Sequence, residues 1–137
     1  MENLDKNTCF EMGRICACAN LRKAARSVTR FYDRILSPTG LRSTQLALLV
    51  AVNALGPTSV TTLAKKTLMD RTTLGRNLKL LESMHVIRIR PGEDLRIREV
   101  MLSDEGIDIL MKALPYWKIA QDKMIKGMGK EGMSDLL

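Results

Sequence analysis

Aromatic residues are scarce in this 137-residue chain: two Phe, two Tyr and one Trp make up 4% of it. A core with so few rings has to be built from Leu, Ile, Val, Ala and Met, which suits packed helices better than a β-sandwich. Long apolar runs are also missing. No stretch approaches the ~18 consecutive apolar residues of a membrane helix, so no membrane is expected as a partner. Glu2, Asp5 and Glu11 interrupt the N-terminus, no apolar run follows, and the cytoplasm is the expected location. Histidine is nearly absent, with His85 alone, and the three cysteines Cys9, Cys16 and Cys18 bunch near the N-terminus. A zinc site would lack ligands, and an odd number of thiols does not suit a disulfide framework. One histidine serves no Ser/His/Asp order, and neither a Gly-rich phosphate loop nor an HExxH pair is present. Neither an enzyme nor a cofactor or metal is expected.

Basic residues, in contrast, are in excess, with a net charge of +7. Residues 14–98 hold 16 of the 22 Lys/Arg and 5 of the 15 Asp/Glu, a local balance of +11. A basic body with acidic ends points to a polyanionic partner, although a solvated basic surface has the same composition.

The apolar fraction of 45% is ordinary for one folded domain. Residues 1–13 are polar and irregular and read as a loose arm. From Arg14 to Leu36, Leu21, Ala24, Ala25, Val28, Phe31, Tyr32, Ile35 and Leu36 recur at three-to-four spacing, which predicts one long amphipathic helix. Arg22, Arg26, Arg30 and Arg34 line another face of it. Ser43 or Thr44 is placed to cap a second helix, apolar nearly all round, that ends at Leu55 before Gly56-Pro57. A short helix is expected from Val60 to Lys66. Asp70 is then a good N-cap for a helix from Arg71 to Met84, which buries Leu74, Leu78 and Leu81 and turns Thr72, Arg76, Lys79 and Ser83 outward. Val86–Arg90 and Ile97–Leu102 read as two short strands joined by a polar hairpin. Ser103 caps a last helix, which Pro115 is expected to kink or split and which Gly127, Gly129 and Gly132 weaken.

Helix, tight turn, polar-faced helix and hairpin follow one another in the order of a winged helix-turn-helix. A reading helix must bury one face to be held rigidly and must offer hydroxyls and long donors on the other, because base edges lie deep in the major groove. Arg71, Thr72, Thr73, Arg76 and Lys79 fit that requirement. Arg96 and Arg98 on the hairpin are placed to reach a neighbouring groove or phosphate, and Asp94 stands two residues from Arg96, close enough to hold its guanidinium.

These residues resemble the MarR family of bacterial regulators. The segment Leu63-Ala64…Met69-Asp70-Arg71-Thr72-Thr73-Leu74…Arg76-Asn77-Leu78…Leu81-Glu82 is similar to the family's helix-turn-helix. Asp94-Leu95-Arg96 is similar to its wing, Leu102-Ser103-Asp104-Glu105-Gly106 to its strand-to-helix junction, and Leu21–Asp33 to its first helix. The resemblance spans residues 14–128. It implies a mostly α fold with a small β-hairpin wing, arranged as a single 1–137 domain in which 14–36 and 104–137 are dimerisation helices and 42–102 is the winged helix-turn-helix. It also implies a homodimeric repressor contacting double-stranded DNA through the Thr72–Lys79 face and the Arg96 wing, together with a regulatory pocket between stem and reading head. Two linked heads would suit a palindromic operator with half-sites one helical turn apart. The alternatives are a winged-helix protein-interaction module and a nonspecific architectural DNA binder.

Two points depart from plain packing. His85 stands where the family usually has Gly after the reading helix; a left-handed cap or strand entry is expected there rather than sensing. Cys18 falls where hydroperoxide-sensing relatives carry their reactive cysteine, near Arg14, Arg22 and Lys23. Cys16 and Cys18, two apart on one helix, are expected to point to different sides. Either they sense peroxide or they are small packing residues, one or both buried. A small molecule is the other candidate effector.

Overall fold

The computed structural model describes residues 5–137. Helix α1, Lys6–Ile15, occupies most of what the sequence reads as a loose arm; residues 1–4 of that arm lie outside the described residues. It forms because Asp5 caps it, with Oδ1 accepting the Thr8 N–H at 2.8 Å. The single long helix expected from Arg14 is also broken. Cys16 adopts extended backbone (φ −62°, ψ 108°), ending α1 and preceding α2, Ala17–Leu36. Asn20 stabilises the break: its side-chain amide donates to the carbonyl of Arg14 (2.8 Å), which the interruption would leave short of a partner, and to that of Cys16 (3.0 Å), which also accepts the Asn20 backbone N–H.

After a 3-10 turn, Ser37–Thr39, comes α3, Ser43–Leu55. Arg42 is its cap residue rather than Ser43 or Thr44, and the Gln45 side chain accepts the Arg42 N–H at 2.8 Å. Ser43 has another partner: both its N–H and its hydroxyl donate to Asp33 Oδ1, at 2.7 and 2.8 Å, tying α3 to α2. Leu46, Leu48, Leu49 and Val52 bury α3 in the centre of the domain, whereas Val50 is half exposed.

Strand β1, Thr58–Ser59, runs into α4, Val60–Thr67, which Ser59 caps. The chain then turns through Leu68, whose φ of 53° is left-handed and whose side chain is in solvent. Helix α5, Arg71–Ser83, leads to β2, Ile87–Pro91, and β3, Arg98–Leu102. The hairpin sits where the sequence places it, but β1 adds a third antiparallel strand in the order β1-β3-β2. Two residues show no alternation to read; β1 exists because Thr58 and Ser59 find Val100 and Glu99 across space.

Helix α6 spans Asp104–Leu136, and Pro115 does not split it. Its one non-helical residue is Gly129 (φ 76°, ψ 164°), so the break falls at the glycine. Packing on α2 accounts for the continuity at Pro115: Ala113 and Ala120, on either side of it, are fully buried, and Tyr32 donates a 2.6 Å hydrogen bond to Gln121. Among the described residues no single helix is long and apolar enough to cross a membrane.

Candidate nucleic-acid interface

The geometry starts from the buried side of α5. Leu74, Leu78 and Leu81 are at most 2% exposed and anchor the helix to α3, α4 and the sheet. Burying three such side chains contributes on the order of 1.5–3 kcal/mol each, enough to hold a three-turn helix rigid. The opposite side is open: Thr72, Arg76 and Lys79 are exposed, as their spacing requires, and Thr73 is exposed on the flank beside Leu74.

Asp70 organises the first turn. Its Oδ1 accepts the Thr73 N–H at 2.9 Å and its Oδ2 accepts the Thr73 hydroxyl at 2.6 Å. The Thr73 hydroxyl, and then the Thr73 N–H, hold this carboxyl below the usual carboxylate range. Arg71 leans back onto α4, where its guanidinium donates to Thr61 Oγ1 at 2.7 Å. Arg71 thus clasps the two helices of the motif together. Thr61 carries no periodic or compositional signal that would mark it in the sequence; only the turn at Leu68 brings it to Arg71.

On the hairpin, the Arg96 guanidinium donates to both carboxylate oxygens of Asp94, each at 3.1 Å, and the Arg96 N–H donates to Asp94 Oδ1 at 3.0 Å. The Arg96 side chain remains 90% exposed, so the fork is aimed while the side chain stays in solvent. Arg98, also exposed, begins β3 opposite Pro91. Behind the hairpin, His85 has φ 60° and its carbonyl accepts the Ser103 hydroxyl at 2.6 Å. That is a left-handed turn closing α5 and entering β2.

Away from this face, a cleft of about 720 Å³ opens between α2, α3 and α6. Leu46, Val50, Leu114 and Trp117 wall it, and Tyr32 and Asn53 supply polar groups. Sequence periodicity marks Val50 as one more apolar position of a buried helix; only the packing of α6 shows that it faces a cavity. The three thiols are all exposed, so burial accounts for none of them. Cys16 is outside both helices, and the argument that Cys16 and Cys18 share one helix does not hold.

A buried three-helix core, an outward polar helix and a salt-locked hairpin define a winged helix-turn-helix. No family model matches the chain, and no curated protein does. Solved structures match over nearly its whole length. The M. tuberculosis transcriptional regulator MosR, solved in complex with DNA, is 32% identical, with 88% of this chain and 92% of that one covered at a TM-score of 0.79. A cysteine-to-serine mutant of E. coli MarR complexed with operator DNA is 20% identical, covering 98% and 94% at 0.80. Bordetella bronchiseptica BpsR, whose DNA binding is regulated by 6-hydroxynicotinic acid, is 17% identical, covering 88% and 86% at 0.79. The last two share the fold. With the MosR match, the chain belongs to the MarR family of transcriptional regulators.

Proposed function

We propose that this protein is a sequence-specific DNA-binding transcription regulator, acting as a homodimeric repressor on a palindromic operator in the cytoplasm. The observation that carries the reading is the two-sided α5. Leu74, Leu78 and Leu81 lock one side, and Thr72, Arg76 and Lys79 face outward on the other with Thr73 exposed on the flank, beside a wing whose Arg96 is aimed by Asp94. In this reading Arg76 and Lys79 enter the major groove, while Arg96 and Arg98 engage the adjacent minor groove or phosphates. Arg71 holds α4 and α5 in register. Residues 42–102 form the reading head, and 14–36 with 104–137 form the dimer stem. The stem has apolar side chains in solvent, with Leu21 at 66%, Leu114 at 59% and Trp117 at 40% exposure, and a second copy would cover them. Helix α1 adds further exposed apolar side chains, Phe10 and Ile15, for a second copy to cover.

Two places suit the signal. The apolar cleft beneath the stem has the size of a small-molecule site, and a ligand there would change the angle between stem and head. The exposed Cys16 and Cys18, at the break between α1 and α2, suit oxidation by a peroxide, which would add bulk and polarity beside the stem.

The test is sedimentation combined with salt-titrated binding to a duplex recovered by genome-wide mapping. A dimer is expected, with log affinity falling by about 0.9 per phosphate contact against log salt. A stable monomer that binds the duplex specifically overturns the dimeric reading; absence of salt-dependent duplex binding favours a protein-interaction module.

A further inference from the structure

The first turn of α5 contains a hydroxyl whose proton is already committed. Thr73 donates it to Asp70 Oδ2 at 2.6 Å, while Asp70 Oδ1 takes the Thr73 backbone N–H at 2.9 Å. Both contacts favour the ionised carboxyl, which is held below its usual range, so at neutral pH Asp70 has no proton to give. The bond between the two side chains therefore runs one way. Bonds to an ionised oxygen are short and strong, so this polarity persists when another partner approaches. To a further partner the exposed Thr73 oxygen therefore offers only lone pairs.

In the major groove the four bases differ in what they offer. Adenine and cytosine present an amino donor, guanine presents two acceptors, and thymine presents an acceptor and a methyl. Residues at the start of a reading helix are those that meet base edges. We infer that Thr73, polarised by Asp70, is a specificity-determining residue that reads as an acceptor only, selecting adenine or cytosine over guanine or thymine on the strand it faces. The Asp70 carboxylate beside it reinforces the choice, since a second acceptor would repel guanine O6 and N7. This inference rests on the DNA-reading function proposed above.

The experiment selects duplexes from a randomised pool with the purified full chain and sequences the bound fraction. Wild type is expected to show one position per half-site where adenine or cytosine is enriched roughly five- to tenfold, the size of one hydrogen bond. Thr73→Val keeps the shape and the backbone cap but removes the oxygen, and is expected to flatten that position alone. Thr73→Ser restores it. Asp70→Asn retains an acceptor for the backbone N–H while its amide donates to the Thr73 oxygen. The Thr73 proton then turns outward, and the preference shifts toward guanine or thymine, a shift that a purely structural role would not produce. Thermal melting of each variant checks the fold. A base preference unchanged in Thr73→Val, or adenine and cytosine still selected by Asp70→Asn, overturns the inference while leaving the DNA-reading function intact. A wild type that enriches no sequence overturns both.

Discussion

Gly106, in the first turn of α6, lies directly against the carbonyl oxygen of Val86 at the entry to β2, with no room for a side chain between them. The same carbonyl accepts the Ser103 N–H at 3.2 Å, and the Ser103 hydroxyl accepts the Gly106 N–H at 3.0 Å while donating to the His85 carbonyl. One close approach thus joins the end of α5, the root of the hairpin and the start of α6.

Gly106→Ala should drive the Cβ into backbone that has no flexible end to move. A loss of about 1–3 kcal/mol is expected, read by urea unfolding. Gly127→Ala is the control: it lies in the same helix with nothing near its Cβ, and is expected to be neutral or stabilising by up to about 1 kcal/mol. Equal effects of the two substitutions would refute the contact.

The two faces of α5 should separate in measurement. Leu78→Ala empties a site only 2% exposed and is expected to cost about 2–5 kcal/mol of stability. Arg76→Ala should leave the melting temperature alone and weaken operator binding by about 1–3 kcal/mol, with relaxed sequence preference. Unchanged affinity and preference in Arg76→Ala would show that another surface reads the DNA.

Arg96→Ala tests the wing. The salt slope of binding should fall by about 1, and discrimination in favour of a narrow A·T-rich minor groove should drop. Asp94→Ala keeps the cation but frees the fork, and an intermediate loss is expected. If Arg96→Ala binds with the wild-type slope, the wing makes no backbone contact.

Acid should act through Asp70. Its folded carboxyl is held below the ordinary value, chiefly by the Thr73 hydroxyl, so its stabilising contribution is present above about pH 4 and is lost as the pH falls through the lower folded value. Asp94, held down by Arg96, follows the same sign. Between pH 5.5 and 8 neither group should change stability. Asp70→Ser keeps a capping oxygen that does not titrate, and its acid unfolding midpoint is expected to differ from that of wild type; coincident acid curves would dismiss the carboxylate.

The thiols give a direct comparison. With an organic hydroperoxide added to the protein–operator complex, oxidation sensing through Cys18 predicts release of DNA by wild type and retention by Cys18→Ser. Release by both would exclude Cys18 and point to Cys16, the other exposed thiol at the break between α1 and α2; retention by both would exclude peroxide sensing and favour the cleft between α2, α3 and α6.

The periodic elements were legible in the residues themselves. Leu74, Leu78 and Leu81 at helical spacing after a capping Asp70 describe α5 without coordinates, and His85 after it announced a left-handed turn. Ile87-Arg88-Ile89-Arg90 alternates as a strand must. These signals are local: a cap, a period of 3.6 or of 2, and a turn residue depend on neighbours along the chain. The break at Cys16 was not legible, because it is held by Asn20 reaching back six residues to Arg14. Nor was the continuity of α6 through Pro115, which rests on packing against α2, or β1, which is two residues paired with Val100 and Glu99. The clasp between Arg71 and Thr61, the cleft at Val50 and the one-way bond from Thr73 to Asp70 belong to the same class. Each depends on where side chains distant in sequence, or free to rotate, come to rest once the core has closed, and no period in the sequence encodes that.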